Sequence, residues 1–447
     1  MIQTTSPSQP PAAGKRRRGR GRAAPLLCLA LLLAVGNPRA VADAPEPAER
    51  DSARERETES RQERDSEIER DFERENDGHP DAVNRADKGR VFEPDQVLAL
   101  ELRQEAWVRI RALGFRILEQ DTLASLGLHV TSLSTPGGMP VELALRRLHE
   151  LDPDGVYDSN QRYGLASSNA GCAGIRCDAQ RLVAWPAAGC ARPVRLGMLD
   201  TAVSGSSPLL AGTRLHQKRF GDSHKPANAA EHGTAVATVL TGQAEAGVNG
   251  LLPQATLFAA DVFNYGANAT ATTNAVLLVR GLDWLTAQLP AVINVSITGP
   301  DNAVLHEAIR HVTARGIAVV AAAGNLGPDG PAQFPAAYAE AIAVTAVDAT
   351  GNASPDASLG AYVDVAAPGT HIWSAGADGR PRFYDGTSFA APFVAAEAAL
   401  RRLARPGLTP ALLKAELHAP AAAGNVVRGS GVIPLLASQG CPEAAAR

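Results

Sequence analysis

The chain has 447 residues, 45% of them hydrophobic and 20% charged, and is long enough for more than one packed unit. Its net charge of −4 hides an asymmetry: the first 42 residues carry seven basic residues and no acidic one, which leaves the remainder at −11. An acidic remainder excludes nucleic acid as the partner, because a phosphate backbone requires a basic face.

The basic start has a layout of its own. "KRRRGRGR" (15–22) precedes the apolar run "AAPLLCLALLLAVG" (23–36), and Ala40 and Ala42 then frame an A-x-A pattern. This is the pattern of a secretory signal peptide covering 1–42. The apolar run falls short of the roughly 20 residues a membrane-spanning helix needs, so no span is expected in the mature form. Leu27 stands before Cys28 where a lipoprotein signal needs a small residue. The product is expected to be exported, to the periplasm or the cell exterior. Four cysteines then remain: Cys172, Cys177, Cys190 and Cys441. An even set in an exported chain suggests disulfides. Of the three pairings, Cys172–Cys177 with Cys190–Cys441 is favoured, which would tie the C-terminus to the domain start. Zinc is the alternative, although the spacings match no usual finger.

Residues 43–90 read as a charged linker. Within 46–77 there are 14 acidic and 7 basic residues, and Ile68 and Phe72 are the only large apolar ones. Such a stretch cannot bury enough surface to offset chain entropy. From residue 91 the pattern changes. "DQVLALEL" (95–102) alternates as a strand does, and "RQEAWVRIRAL" (103–113) has helical spacing. "FRILEQ" and "LGLHVTSLS" read as strands, "PVELALRRLHEL" (140–151) as a helix, and "GVYDSNQRYGL" as a last extended piece. The order β-α-β-β-α-β over 91–165 predicts a small ferredoxin-like α+β unit. That order alone carries no function.

Residues 166–447 have an α/β rhythm. Short apolar runs suited to buried strands are 194–199, 255–263, 291–297, 316–324 and 341–348, and helical stretches at 232–242, 274–289, 302–315 and 388–403 separate them. The alternation predicts a parallel sheet with helices on both faces. Functional groups in such sheets gather at the carboxyl ends of the strands. Asp200 ends one strand in "LDTAV", His232 opens a helix in "HGTAVA", Asn325 ends a strand in "AAAGN", and Ser388 opens a helix in "GTSFAAP". Each has an ordinary reading on its own, as a turn residue, a surface histidine, a left-handed turn asparagine and a helix N-cap.

Together and in this order, the four motifs resemble those of the subtilisin-like serine peptidases over about residues 190–420. The resemblance implies a subtilisin-like sheet and an endopeptidase that works through an Asp-His-Ser triad and an acyl-enzyme. Ser388 would attack, His232 would take its proton and return it to the leaving amine, and Asp200 would hold the imidazole. The Asn325 amide and the Ser388 backbone N–H would bind the oxyanion. A peptide substrate would add as a strand, with Ser296, Ile297, Thr298 and Ala322, Ala323, Gly324 flanking the specificity pocket and Gln333 near its floor. Thr298 stands where relatives usually carry glycine, which implies small or medium neutral side chains at the cleaved position. Ala202 and Ala235 also depart from the commoner pattern without removing a group from the triad. The segment 241–250 offers only Glu245 as a strong ligand, so no calcium site is predicted there and no cofactor is expected, although calcium elsewhere stays open. The α+β unit matches the place of a prosegment that assists folding and blocks the cleft, with "YDSNQRYGLASS" as its tail and cleavage between about Tyr163 and Ser168. A permanent accessory domain is the other reading of that unit. For the whole chain, a catalytically silent binding or chaperone module is the rival, and a lipase-type hydrolase is disfavoured by "GTSFA" in place of G-x-S-x-G.

Overall fold

The computed structural model describes residues 92–166, 182–183, 185–186, 189–221, 229–243, 248–265, 271–418, 425–428, 431–434, 436 and 441, all within the compact unit Arg64–Arg447. The signal segment, the charged linker, Cys172, Cys177 and Glu245 lie outside the described residues.

The first unit runs β1 (Phe92–Leu100), α1 (Gln104–Ala112), β2 (Arg116–Leu123), β3 (Leu128–Ser134), α2 (Val141–Leu151) and β4 (Val156–Leu165). Its strands pair antiparallel in the order β2-β3-β1-β4, the ferredoxin-like arrangement. The alternation in β1 does not leave one face in water, because Val97 through Leu100 are all buried. Val97 and Ala99 pack with Ala106, Ile110, Val141 and Leu148 of the unit's own two helices. Leu98 and Leu100 point the other way, into an apolar cluster shared with the larger domain.

That domain continues with β5 (Arg195–Asp200), β6 (Arg214–Arg219), α3 (Glu231–Thr241), β7 (Thr256–Asp261), β8 (Asn264–Tyr265), β9 (Ala271–Asn274), α4 (Ala275–Ala287), β10 (Val292–Val295), β11 (Ile297–Thr298) and α5 (Ala303–Ala314). It ends with β12 (Ala318–Ala322), β13 (Ile342–Val347), β14 (Val365–Pro368), the hairpin β15 (Ile372–Ala375) and β16 (Pro381–Tyr384), α6 (Thr387–Ala404), α7 (Pro410–His418) and the hairpin β17 (Asn425–Arg428) and β18 (Gly431–Pro434). Seven strands form a parallel sheet in the order β14-β13-β12-β10-β5-β7-β6. Residues of α3 and α6 cover one face, and residues of α4 and α5 cover the other. The central strands are apolar at most positions because both faces are buried, with Asn294, Thr345 and the strand-end Asp200 and Asp261 as buried polar exceptions. The edge strand β6, "RLHQKR", escapes the apolar-run criterion because it is polar and mostly exposed.

Asn274 and Asn302 end the preceding extended segments and cap α4 and α5, accepting from Leu277 N at 3.1 Å and Leu305 N at 3.0 Å. The α+β unit supplies further partners to these two helices. Asn160 accepts from Val276 N (3.3 Å), and Asp158 from Ala303 N (2.8 Å). The turn before β3 is gripped more tightly. Asp283 accepts from Ser125 N (2.7 Å) and Leu126 N (3.0 Å), His311 Nδ1 donates to Leu126 O (2.6 Å), and the Leu126 side chain is fully buried. Nearby, Arg280 clasps Asp121 through two 2.8 Å bonds. Cys190 and Cys441 are joined by a disulfide that ties a residue before β5 to one beyond β18. Among the described residues no helix is long and apolar enough to cross a membrane.

Leu126→Ala in the full-length chain is expected to lower stability by about 2–5 kcal/mol through lost burial and a residual cavity. Leu118→Ala, at an exposed position in β2, should stay within about 0.5 kcal/mol of the parent. Denaturant unfolding of the two variants side by side checks the difference.

Candidate active site

The carboxyl ends of β5, β10 and β12 lie on one edge of the parallel sheet, and α3 and α6 begin there. Asp200, the last residue of β5, is fully buried; its Oδ1 accepts from Thr201 N (2.6 Å) and from His232 Nδ1 (2.8 Å). An ionised carboxylate only accepts, so this bond keeps the proton on Nδ1 and leaves Nε2 as the free lone pair. His232 is the second residue of α3, is buried, and packs its ring on Phe389 with centroids 5.4 Å apart. Its Nε2 has no hydrogen-bond partner.

Ser388 is not the cap of its helix. The cap position is Gly386, whose φ of 128° suits glycine alone, and Ser388 is the second helical residue. Four residues on, Pro392 has no N–H to give to the Ser388 carbonyl. The Ser296 hydroxyl donates to that carbonyl instead, at 2.9 Å. In return the Ser388 hydroxyl donates to Ser296 O at 3.2 Å and makes no hydrogen bond to His232 Nε2. The Ser388 backbone N–H, at the positive end of α6, donates to the carbonyl of Ala166 at 3.0 Å. Asn325 Oδ1 accepts from Thr387 N (3.1 Å), which leaves its Nδ2 buried and without a partner beside the same turn.

Ala166 comes from the α+β unit. β4 runs out of its own sheet and enters between two strands of the larger domain. On one side Leu165 and Gly164 pair antiparallel with Ile297 and Thr298, and Ala166 N reaches Ser296 O at 3.4 Å. On the other side Tyr163 and Arg162 pair with Thr273 and Asn274 of β9. The Tyr163 ring lies on Gly299, where an added Cβ would sit 2.2 Å from its Cδ1. The ring is almost fully buried, and desolvation holds its hydroxyl well above the ordinary tyrosine range.

Of the expected pocket residues, Ser296, Ile297 and Thr298 meet the tail directly. Ala322 shares an apolar cluster with Ala166, and the Gln333 side chain lies against Gly324. Ala323 differs: its N–H donates to Val344 O, its carbonyl accepts from Tyr362, and its methyl packs with Val347 and Val363. Sequence reasoning missed β9 as the second flanking strand and Gly299 beneath Tyr163. The short polar "ATTN" carries too few residues for a periodicity, and a glycine's role as a contact surface has no local signal. Among the described residues no three His, Cys, Asp or Glu side chains are grouped to hold a metal ion.

Residues 192–432 match the model of the Subtilase family. The chain belongs to the subtilase family. It is 36% identical over 212 residues to subtilisin DY of Bacillus licheniformis, covering 46% of this chain and 76% of that protein. It is 34% identical over 211 residues to thermitase of Thermoactinomyces vulgaris, covering 46% of this chain and 74% of that one. The solved structure of fervidolysin from Fervidobacterium pennivorans, described as a keratinolytic enzyme related to subtilisin, shares the fold at a TM-score of 0.58 and 20% identity, over 71% of this chain and 56% of that one. This subtilase is thus a subtilisin-like serine endopeptidase. The family match begins after Ala166, so the α+β unit lies wholly ahead of it.

Gly299→Ala is expected to unseat Tyr163 and loosen the tail. Amide hydrogen exchange at Gly164 and Leu165 should speed up by at least tenfold, while amides within β12 and β13 keep the parent's protection.

Proposed function

We propose that this subtilase is made as an exported precursor and cuts itself between Ala166 and Ser167, after which it hydrolyses other peptides at the same site. The carrying observation is the Ala166 carbonyl held by the Ser388 N–H at the end of a strand paired on both sides. That is how a scissile carbonyl sits in a cleft that binds peptides by strand addition. The bond that follows it, Ala166–Ser167, lies inside the interval expected from the sequence. An alanine at the cleaved position agrees with a pocket for small neutral side chains.

The chemistry follows from the groups already in place. The Ser388 hydroxyl leaves Ser296 O, gives its proton to His232 Nε2 and attacks the Ala166 carbonyl carbon. Asp200 stabilises the imidazolium through Nδ1. The carbonyl oxygen becomes an oxyanion between the Ser388 N–H and Asn325 Nδ2, a buried donor with no other partner. The C–N bond to Ser167 breaks, His232 returns the proton to the new amine, and water then releases Ala166 as a carboxylate. The residues up to Ala166 remain as an inhibitor, anchored by Leu126, Asp121 and the caps on α4 and α5. Export to the periplasm or the cell exterior rests on the pattern of residues 1–42.

Purified protein and its Ser388→Ala variant test this directly. N-terminal sequencing of the processed parent should begin at Ser167, while Ser388→Ala stays full length after signal removal. A shortened Ser388→Ala with the same start would mean that another protease made the cut. A folded, processed parent that no fluorophosphonate labels would leave a silent binding module as the reading. Asn325→Ala is expected to lower kcat by about 10²–10³ with little change in KM, measured on a chromogenic peptide.

A further inference from the structure

Three charged side chains stand in one row across the strand ends. Asp200 on β5 is in register with Asp261 on β7, and Asp261 is in register with Arg219 on β6. Residues paired across parallel strands project to the same face, and neighbouring strands lie about 4.8 Å apart. Asp261 is fully buried, as Asp200 is, and Arg219 Nη1 meets Asp261 Oδ2 at 3.2 Å. A second buried carboxylate beside the first costs stability, and the Arg219 guanidinium offsets part of that cost.

We propose that Asp261 and Arg219 form a positioning pair that sets the field on Asp200 and, through it, the proton affinity of His232. The inference rests on His232 being the base. With Asp261 ionised, the row carries two negative charges and one positive one, so a net negative charge stands behind the imidazole. With Asp261 protonated, the row is neutral and the imidazolium loses that support. Burial raises the Asp261 carboxyl to about 6, opposed by Arg219 and the Phe263 N–H, with Asp200 adding to the rise. Among the described residues, other groups near this carboxylate are Tyr265, whose hydroxyl donates to Ala229 O, and His232 through Asp200. Asp261 therefore changes charge in the range where a catalytic histidine does. A proton bound at Asp261 lowers the negative field that reaches the imidazole through Asp200.

The test is the acid limb of kcat/KM in processed enzyme, which reports the base in the free enzyme. In the parent, coupling should make that limb shallower than a one-proton curve. Asp261→Asn removes the negative charge, so the limb should move about one pH unit lower and become one-proton in steepness, with a several-fold lower plateau kcat. Arg219→Gln removes the positive charge and should move the limb about as far upward. Arg219→Lys keeps the charge and should leave the limb in place. Opposite shifts are a signature that a merely structural pair would not produce. If Asp261→Asn does not fold, the Arg219 pair of variants, at a side chain 20% exposed, still decides the sign. An unmoved limb in Arg219→Gln, or shifts of the same sign in both charge-removing variants, overturns the proposal. Full activity in Ser388→Ala would instead refute the triad reading beneath it.

Discussion

Antiparallel pairing of Arg162–Leu165 between β9 and β11 is the contact through which the two parts of this chain define each other. A strand inserted between two others satisfies its backbone groups on both sides and has no freedom to shift register by one residue without turning every side chain over. The register therefore fixes several things at once. Tyr163 lies on the bare backbone of Gly299, and Ala166 places its carbonyl on the Ser388 N–H. The ferredoxin-like unit is held over α4 and α5, where Asn160 and Asp158 accept from N-terminal N–H groups that the caps Asn274 and Asn302 do not reach. The burial of both faces of β1 follows from the same placement.

The first turn of α6 places Ser388 beside Ser296 and Ala166 by two local departures from regular helix. Gly386 accepts a backbone angle that other residues resist, which lets the helix begin abruptly. Pro392 leaves the Ser388 carbonyl without its usual helical donor, and Ser296 fills that vacancy. The exchange of hydrogen bonds between Ser296 and Ser388 joins the first turn of α6 to the segment that pairs with the end of β4. In this exchange the Ser388 hydroxyl donates to Ser296 O, and His232 Nε2 is left without a hydrogen-bond partner. Beside Asp200 stand Asp261 and Arg219 from a different element pair, β7 and β6, which no motif marks.

Much of this was legible in the residues. The five apolar strand runs and four helices of the larger domain lie within a few residues of their expected positions, because burial on both faces leaves a continuous apolar stretch that no surface loop imitates. The β-α-β-β-α-β order of 91–165 was equally clear from periodicity. The expected cleft residues Ser296, Ile297 and Thr298 meet the tail, while Ala323 turns its methyl and both backbone groups to other partners. What escaped were short or polar pieces: β6 at the sheet edge, β9 beside the tail and the hairpin β15–β16. Their stability comes from neighbours distant in the chain, and a two- to six-residue polar strand carries no periodic signal of its own.

Local pattern and residue chemistry carry the class of fold, the identity of the four motif residues and the succession of an α+β unit and a parallel-sheet unit. Which peptide carbonyl meets the Ser388 N–H, which group the Ser388 hydroxyl donates to and the alignment of Asp261 and Arg219 with Asp200 arise only in the folded arrangement. The physical reason is range. Helix and strand preferences act over a few residues, whereas register, hydrogen-bond exchange and the field of a buried charge depend on groups that meet only after the chain has crossed the sheet.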